Sequence, residues 1–231
     1  MTHTDDPASE PKPDIREFDR ERLIQWCKDH DLAPYRAGQI LKWGYTRGAE
    51  SFDEMPDIAK ATRQRLADHF MFSEFPVARM ETSADGSRKY LFHLKDGLGI
   101  ESVLIPEKDH HTLCISTQVG CAMGCRFCMT AASGLIRNLT AGEIIGQVLS
   151  ARKKVTDDKR LTNIVLMGMG EPLANYDAVI QAVRVMTDAG TGLGFSTRRV
   201  TLSTSGLYPK FPDLARDSKI RLAVSLNAAD N

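Results

Sequence analysis

The sequence predicts an α/β protein: a curved parallel β/α sheet preceded by a helical domain and a short antiparallel β connector. Two observations carry this. After His111, the strand-like runs "TLCIST", "NIVLMGMG", "RRVTLSTS" and "IRLAVSLN" alternate with helical segments, as in a parallel sheet. Before it, amphipathic helical patterns give way near Val77 to short runs broken by "ADGS" and "KDGLG", which is hairpin punctuation.

In chain order, residues 1–14 are rich in Pro, Asp and Ser and are expected to form a disordered tail. Residues 15–75 are expected to be the helical domain. Asp19 can cap "RERLIQWCKDH", Pro34 suits the first turn of "YRAGQILKWGYT", and "PDIAKATRQRLADHF" sets Ile58, Leu66 and Phe70 along one buried stripe. Residues 76–106 hold "VARMET", "RKYLFHL" and "GIESVLIP", the strands of the connector, and residues 107–231 form the β/α core. Within the core, Thr140 with Glu143 makes a capping box for a helix that turns Ile144, Ile145, Val148 and Leu149 inward. A second helix, "YDAVIQAVRVMTDAG", has Asn175 as cap and Gly190 as stop.

Hydrophobic residues at 42% and charged residues at 26% are enough for a buried core, so a fibrous or wholly disordered chain is excluded. No apolar run reaches the roughly 18 residues a spanning helix needs, and the acidic start lacks the order of a signal peptide. The expectation is a cytoplasmic protein with no membrane partner. Thirty basic and thirty acidic residues cancel, so a nucleic-acid partner has to be sought in local patches: Arg198 with Arg199, Lys153 with Lys154, Arg63 with Arg65.

Residues two apart in a strand share a face, and three core strands divide cleanly. Leu113 and Ile115 oppose Thr112, Cys114 and Ser116. Val200, Leu202 and Thr204 oppose Thr201, Ser203 and Ser205, while Leu222, Val224 and Leu226 oppose Ala223, Ser225 and Asn227. With helices on the apolar side, the sheet presents hydroxyls, an amide and a thiol in its concavity, which suits a polar ligand.

Three of the five cysteines, Cys121, Cys125 and Cys128, fall in "GCAMGCRFCMT", after a predicted strand and before a predicted helix. In a reducing compartment thiols serve as ligands or catalysts more often than as disulfides. A structural zinc normally takes four ligands and an electron-transfer 4Fe-4S cluster four thiolates, so three leave one iron open. A zinc knuckle, buried structural thiols, or a four-cysteine zinc site recruiting Cys114 from the strand compete with that reading. Cys27, beside Trp26 on an amphipathic helix, reads as a buried structural thiol.

"CAMGCRFC", with Phe127 before the last cysteine, resembles the CxxxCxxC motif of radical S-adenosylmethionine enzymes, and "MGMGEP", Met167 to Pro172, resembles their glycine-glutamate-proline element. More closely, "LCISTQVGCAMGCRFCMT", "RNLTAGEIIGQV", "NIVLMGMGEPLANYD" and "RRVTLSTSGL" resemble, in order and spacing, the dual-specificity RNA adenine-C2 methyltransferases, and "YRAGQILKWGY" resembles that family's helical domain.

The resemblance implies a radical SAM partial barrel, a 4Fe-4S cluster on Cys121, Cys125 and Cys128, and S-adenosylmethionine on its open iron. It implies cofactor contacts from Gly170, Glu171, Ser203 and the segment Ser225, Leu226, Asn227; family members often have His at the last of these. Glu101 matches the family's proton acceptor and Cys114 the thiol that resolves a protein–RNA adduct, so both are catalytic candidates, and a disulfide bond is implied as well. Implied partners are 23S rRNA and tRNA substrates and an electron donor such as flavodoxin, acting on a monomer. A related adenine-C8 methyltransferase, and a non-catalytic iron-sulfur or zinc RNA-binding remnant, are the alternatives.

Against the family pattern, the sequence stops at "SLNAADN" after about four of the six expected barrel strands, and no cysteine follows Cys128. The methyl-carrying cysteine of the family has no counterpart here, so the expectation is a C-terminally truncated chain whose active site is incomplete.

Overall fold

The computed structural model describes residues 12–155 and 158–226; Asn227 and nearly all of the predicted tail lie outside them. The elements are α1 (Arg20–Asp29), α2 (Tyr35–Leu41), α3 (Lys60–His69), β1 (Val77–Thr82), β2 (Arg88–His93), β3 (Gly99–Pro106), β4 (His110–Cys114), β5 (Gln118–Gly120), α4 (Met129–Ala132), β6 (Leu135–Asn138), α5 (Ala141–Lys154), β7 (Arg160–Leu166), α6 (Tyr176–Thr187), β8 (Val200–Thr204), α7 (Phe211–Asp217) and β9 (Arg221–Val224).

Local signals set the helix starts. Asp19 accepts the Arg22 N–H at 2.8 Å and caps α1, and Thr140 and Glu143 close a reciprocal capping box on α5. Asn175 precedes α6 but its side chain does not cap it; the amide donates instead to the carbonyls of Thr117 and Leu139. Leu23, Cys27, Ile40, Leu66 and Phe70 of the N-terminal helices are buried, and they share one continuous apolar core with the sheet. Gln181 donating to the Glu17 carbonyl and Thr46 to that of Gly192 tie those helices to α6 and the turn after it.

Seven strands form one sheet in the order β1-β2-β3-β4-β7-β8-β9. The first four run antiparallel and the last four parallel. The antiparallel connector is therefore continuous with the parallel core, because β3 pairs with β4 through Val103 and Cys114. Hydrogen bonds along that register bury the edge that a separate hairpin would expose.

Register assigns the two faces. Val103 lies opposite Cys114, Cys114 beside Val165, Val165 beside Thr201, and Ser203 beside Ala223. Paired residues point to the same side and residues two apart keep it, so Glu101, Cys114, Ser203 and Ser225 share one face. On the other face Leu104, Leu113, Ile115, Ile164, Leu166, Val200 and Leu202 are buried with Ile144, Val148, Val179 and Val183 of α5 and α6.

The pattern predicted for β9 is only half realised. Leu222, Val224 and Leu226 alternate with Ala223 and Ser225 as expected, yet they are 40%, 47% and 86% exposed. The seven-residue α7 contributes Leu214 and, in part, Phe211 to the core and leaves these side chains uncovered.

Candidate cofactor site at the open face of the sheet

The three cysteines sit on a feature the sequence reading did not anticipate. They do follow a short strand and precede a short helix, but both belong to a hairpin. β5 and β6 form a separate two-stranded antiparallel sheet, and the stretch between them carries Cys121, Cys125 and Cys128, with α4 after the third. The Cys121 N–H donates to the Gly134 carbonyl at 3.0 Å, closing the base of the loop, and the Cys128 N–H to the Cys125 carbonyl. Arg137 on β6 anchors the hairpin: its guanidinium makes a two-pronged contact with Glu143, 2.8 Å on each side, and a third bond to Asp96 at 2.6 Å. Partly exposed ion pairs contribute about 1 kcal/mol or less each. Arg137→Ala is therefore expected to speed amide hydrogen exchange in β5 and β6 by about tenfold, with only a small change in melting temperature; unchanged exchange would mean that the hairpin is held otherwise.

All five cysteines are free, so the implied disulfide is not present. Cys27 is fully buried in the N-terminal helices, as expected of a structural thiol. Cys121, Cys125 and Cys128 are half-buried. Burial, reinforced by its two neighbouring thiols, pushes the Cys121 thiol up. The Ala131 N–H, at the start of α4, holds the Cys128 thiol down. Three free soft donors in one loop, one already biased toward thiolate, fit an iron-sulfur cluster. Among the described residues, however, no three His, Cys, Asp or Glu side chains are gathered closely enough to hold a metal ion.

Cys114, at the end of β4, is not part of that loop. Burial pushes its thiol up to about 11, against a backbone hydrogen bond from Met167 that lowers it. Roughly a thousandth of it is thiolate at pH 8, and the thiolate is the reactive form. In cluster-free protein, iodoacetamide at pH 8 is thus expected to label Cys128 at least tenfold faster than Cys114, with Cys114 catching up as the pH approaches 10. Peptide mass spectrometry reads this, and early labelling of Cys114 would contradict its assigned environment.

Beside the hairpin lies the loop after β7. Gly170 has φ +97°, and a Cβ there would stand 2.5 Å from the Gln118 Cβ. Glu171 is 3% exposed and its carboxylate is committed within the protein: one oxygen accepts the Leu173 N–H and the other the Ser205 N–H and hydroxyl. It fastens the end of β8 to this loop. Its own N–H donates to the Gln118 side chain at 2.8 Å. Further along the open face, the Ser203 and Ser225 hydroxyls are 3.2 Å apart, and the Ser225 N–H donates to the Thr204 carbonyl. Glu101 is half-exposed and pairs with Lys89 at 3.1 Å.

The sequence matches two family profiles: "Ribosomal RNA large subunit methyltransferase N-terminal domain" over residues 13–72 and "Radical SAM superfamily" over residues 115–231. The second spans just over half of the chain and includes the cysteine hairpin, the loop after β7 and the serine pair. The chain belongs to the radical SAM superfamily. It is 58% identical over 218 residues to a dual-specificity RNA methyltransferase RlmN from Desulfosudis oleivorans, covering 94% of this chain and 59% of that one. It is 49% identical to the protein of the same name from Syntrophus aciditrophicus, covering 93% of this chain and 61% of that one. A crystal structure of a radical SAM methyltransferase from Sphaerobacter thermophilus superposes with a TM-score of 0.85 at 41% identity, covering 94% of this chain and 64% of that one. The chain thus spans about six-tenths of the length of these curated relatives.

Within that superfamily fold, the structure brings Glu101, Cys114, Ser203 and Ser225 to one face, with the hairpin and the Gly170–Glu171 loop at its edge. Leu226 follows Ser225 and is exposed, while Asn227 lies outside the described residues. Most of the basic positions seen in the sequence are tied down: Lys153 to Glu50, Arg63 to the Asp53 carbonyl, Arg65 to the His30 carbonyl, Arg199 to Thr162. No described helix is long and apolar enough to cross a membrane. Sequence reasoning missed Gln118 and Gln147, both buried, and set Ser116 on the polar face beside Cys114, whereas it is fully buried against Gln147. The available signal was the polar Gln147 in the apolar run "IIGQVLS".

Proposed function

We propose that this chain is the cluster- and cofactor-binding portion of an S-adenosylmethionine-dependent radical RNA methyltransferase that modifies adenine C2 in 23S rRNA and tRNA. The observation that carries the reading is the placement of three free cysteines on one hairpin beside a sheet face bearing Glu101, Cys114, Ser203 and Ser225. In this reading Cys121, Cys125 and Cys128 ligate a 4Fe-4S cluster. Bound there, cluster and S-adenosylmethionine supply one-electron chemistry able to activate an otherwise inert C–H bond.

The chain's own groups then have separable tasks. Gly170 lets the backbone of its loop come close, and Glu171 fixes that loop to β8 while keeping lone-pair capacity for a ligand ammonium. Ser203, Ser225 and Leu226, with Asn227 next in sequence, are the remaining groups assigned to cofactor contact. Cys114 enters the reaction as a protonated thiol, given its raised pKa. Glu101, on the same face one strand away, is the group able to accept a proton. The electron donor is a flavodoxin-type protein, and the chain works as a monomer.

The test is anaerobic reconstitution followed by reduction in the presence of S-adenosylmethionine, with a parallel assay of binding to a 23S rRNA fragment and to tRNA. Release of 5′-deoxyadenosine together with salt-dependent RNA binding is expected. Retention of zinc without sulfide, or cofactor turnover with no RNA affinity at any salt concentration, would refute the assignment.

A further inference from the structure

Gln147 lies in the middle of α5 on the helix's sheet-facing side, among Ile144, Ile145 and Val148, and is fully buried. A buried primary amide is costly unless its donors and acceptors are met, and here they are met by one region of backbone. Its Oε1 accepts from the Ser116 N–H at 2.8 Å and from the Ser102 hydroxyl at 2.6 Å, and its Nε2 donates to the Ser116 carbonyl at 2.9 Å. Ser116 is two residues past Cys114, where β4 has ended. The amide supplies the pair of bonds that a neighbouring strand would give.

Ser116 is held in order to hold something else. Its hydroxyl donates to the Glu101 carbonyl at 2.6 Å and accepts the Met169 N–H at 2.8 Å. The Met169 carbonyl in turn accepts from the N–H groups of Thr117 and Gln118, at 2.8 and 3.2 Å. Met169 is thus gripped at both its polar backbone groups by the stretch that leads into the cysteine hairpin, and it immediately precedes Gly170 and Glu171. Ser116 itself has no measurable exposure, so water is not at hand to replace a lost partner.

We propose that Ser116, fixed by Gln147, is the positioning residue that sets the Met169–Glu171 loop against the cysteine hairpin and so matches the cofactor-binding loop to the cluster-binding one. This rests on the cofactor reading above. Ser116 acts through Met169 and touches no reacting atom. A purely space-filling role would be served by alanine; the hydroxyl matters because it both donates and accepts.

The variants are Ser116→Ala, which keeps every backbone bond to Gln147, and Gln147→Met, of similar length but without the amide. In cofactor-free protein, both are expected to speed amide exchange at residues 168–171 by about tenfold while β2 and β3 keep their protection. After anaerobic reconstitution, iron and sulfide content and the spectrum of the reduced cluster are expected to match wild type. The affinity for S-adenosylmethionine, read from its perturbation of that spectrum, is expected to fall about tenfold. Unchanged exchange at 168–171 in Ser116→Ala, or faster exchange with wild-type affinity, overturns the inference alone. A wild-type protein that holds a cluster but binds no S-adenosylmethionine overturns the cofactor reading, and this role with it.

Discussion

Gly120→Ala is expected to lose the cysteine hairpin and, with it, the ability to hold a cluster. Gly120 ends β5 at φ +77°, where a Cβ costs about 1–2 kcal/mol on conformation alone. The larger penalty is steric. That Cβ would stand 1.8 Å from the Gly134 carbonyl oxygen and 2.9 Å from its carbon. These are backbone atoms, so they cannot swing aside as a side chain would. The same carbonyl accepts the Cys121 N–H, so making room breaks the bond that closes the loop. A total of about 3–5 kcal/mol is the scale for such a defect. A melting temperature roughly 10 °C lower, or selective loss of protection in β5 and β6, is expected by calorimetry and hydrogen exchange. Iron content after reconstitution is expected to fall below about a tenth of wild type. Normal folding and iron loading in this variant would mean that the hairpin base is not as described.

Gly170→Ala is expected to separate cofactor binding from cluster binding. At φ +97°, a Cβ there meets the Gln118 Cβ at 2.5 Å and its backbone nitrogen at 2.8 Å. Gln118 cannot retreat, since its amide donates to Asn138 on β6 and accepts the Glu171 N–H. The loop must move instead, taking the Glu171 carboxylate off the end of β8. Iron and sulfide are expected to remain near wild type, because Cys121, Cys125 and Cys128 lie elsewhere. Affinity for S-adenosylmethionine is expected to fall at least a hundredfold, about 2.7 kcal/mol. Wild-type affinity, measured by equilibrium dialysis, would remove the loop from the cofactor site.

The contrast between these two glycines shows what could be read from residues in order and what could not. The turns at "ADGS" and "KDGLG", the capping box at Thr140 and the alternation in β8 rest on neighbours within about a turn or a strand, and they stand in the structure as local chemistry dictates. The spacing of Cys121, Cys125 and Cys128 is equally local. The hairpin that carries them is not. "QVG" and "LIRN" are too short to show a period, and their pairing depends on Arg137 reaching Asp96 and Glu143.

Gln147, Gln118 and the burial of Ser116 escaped for a related reason. A lone polar residue in an apolar helix carries no label for its partner, and Gln147 and Ser116 are 31 positions apart while Gln118 and Glu171 are 53 apart. Glu101 is a similar case. Nothing in its neighbours in sequence ties it to Cys114, 13 positions on, yet the β3–β4 register sets the two on the same face. β9 shows the limit of periodicity: Leu222 and Val224 alternate as a buried strand does, but burial depends on what lies over them.

The central question is whether three thiolates of one hairpin hold a cluster with an iron open to S-adenosylmethionine. The most direct measurement is the electron paramagnetic resonance spectrum of the anaerobically reconstituted, reduced chain, with and without S-adenosylmethionine, alongside iron and sulfide counts for Cys121→Ser, Cys125→Ser and Cys128→Ser. About four irons and four sulfides per chain, a spectrum that shifts on adding S-adenosylmethionine, and loss of both in each serine variant are predicted. Full loading of iron and sulfide in any one of those variants, or a cluster whose spectrum ignores S-adenosylmethionine, would contradict it.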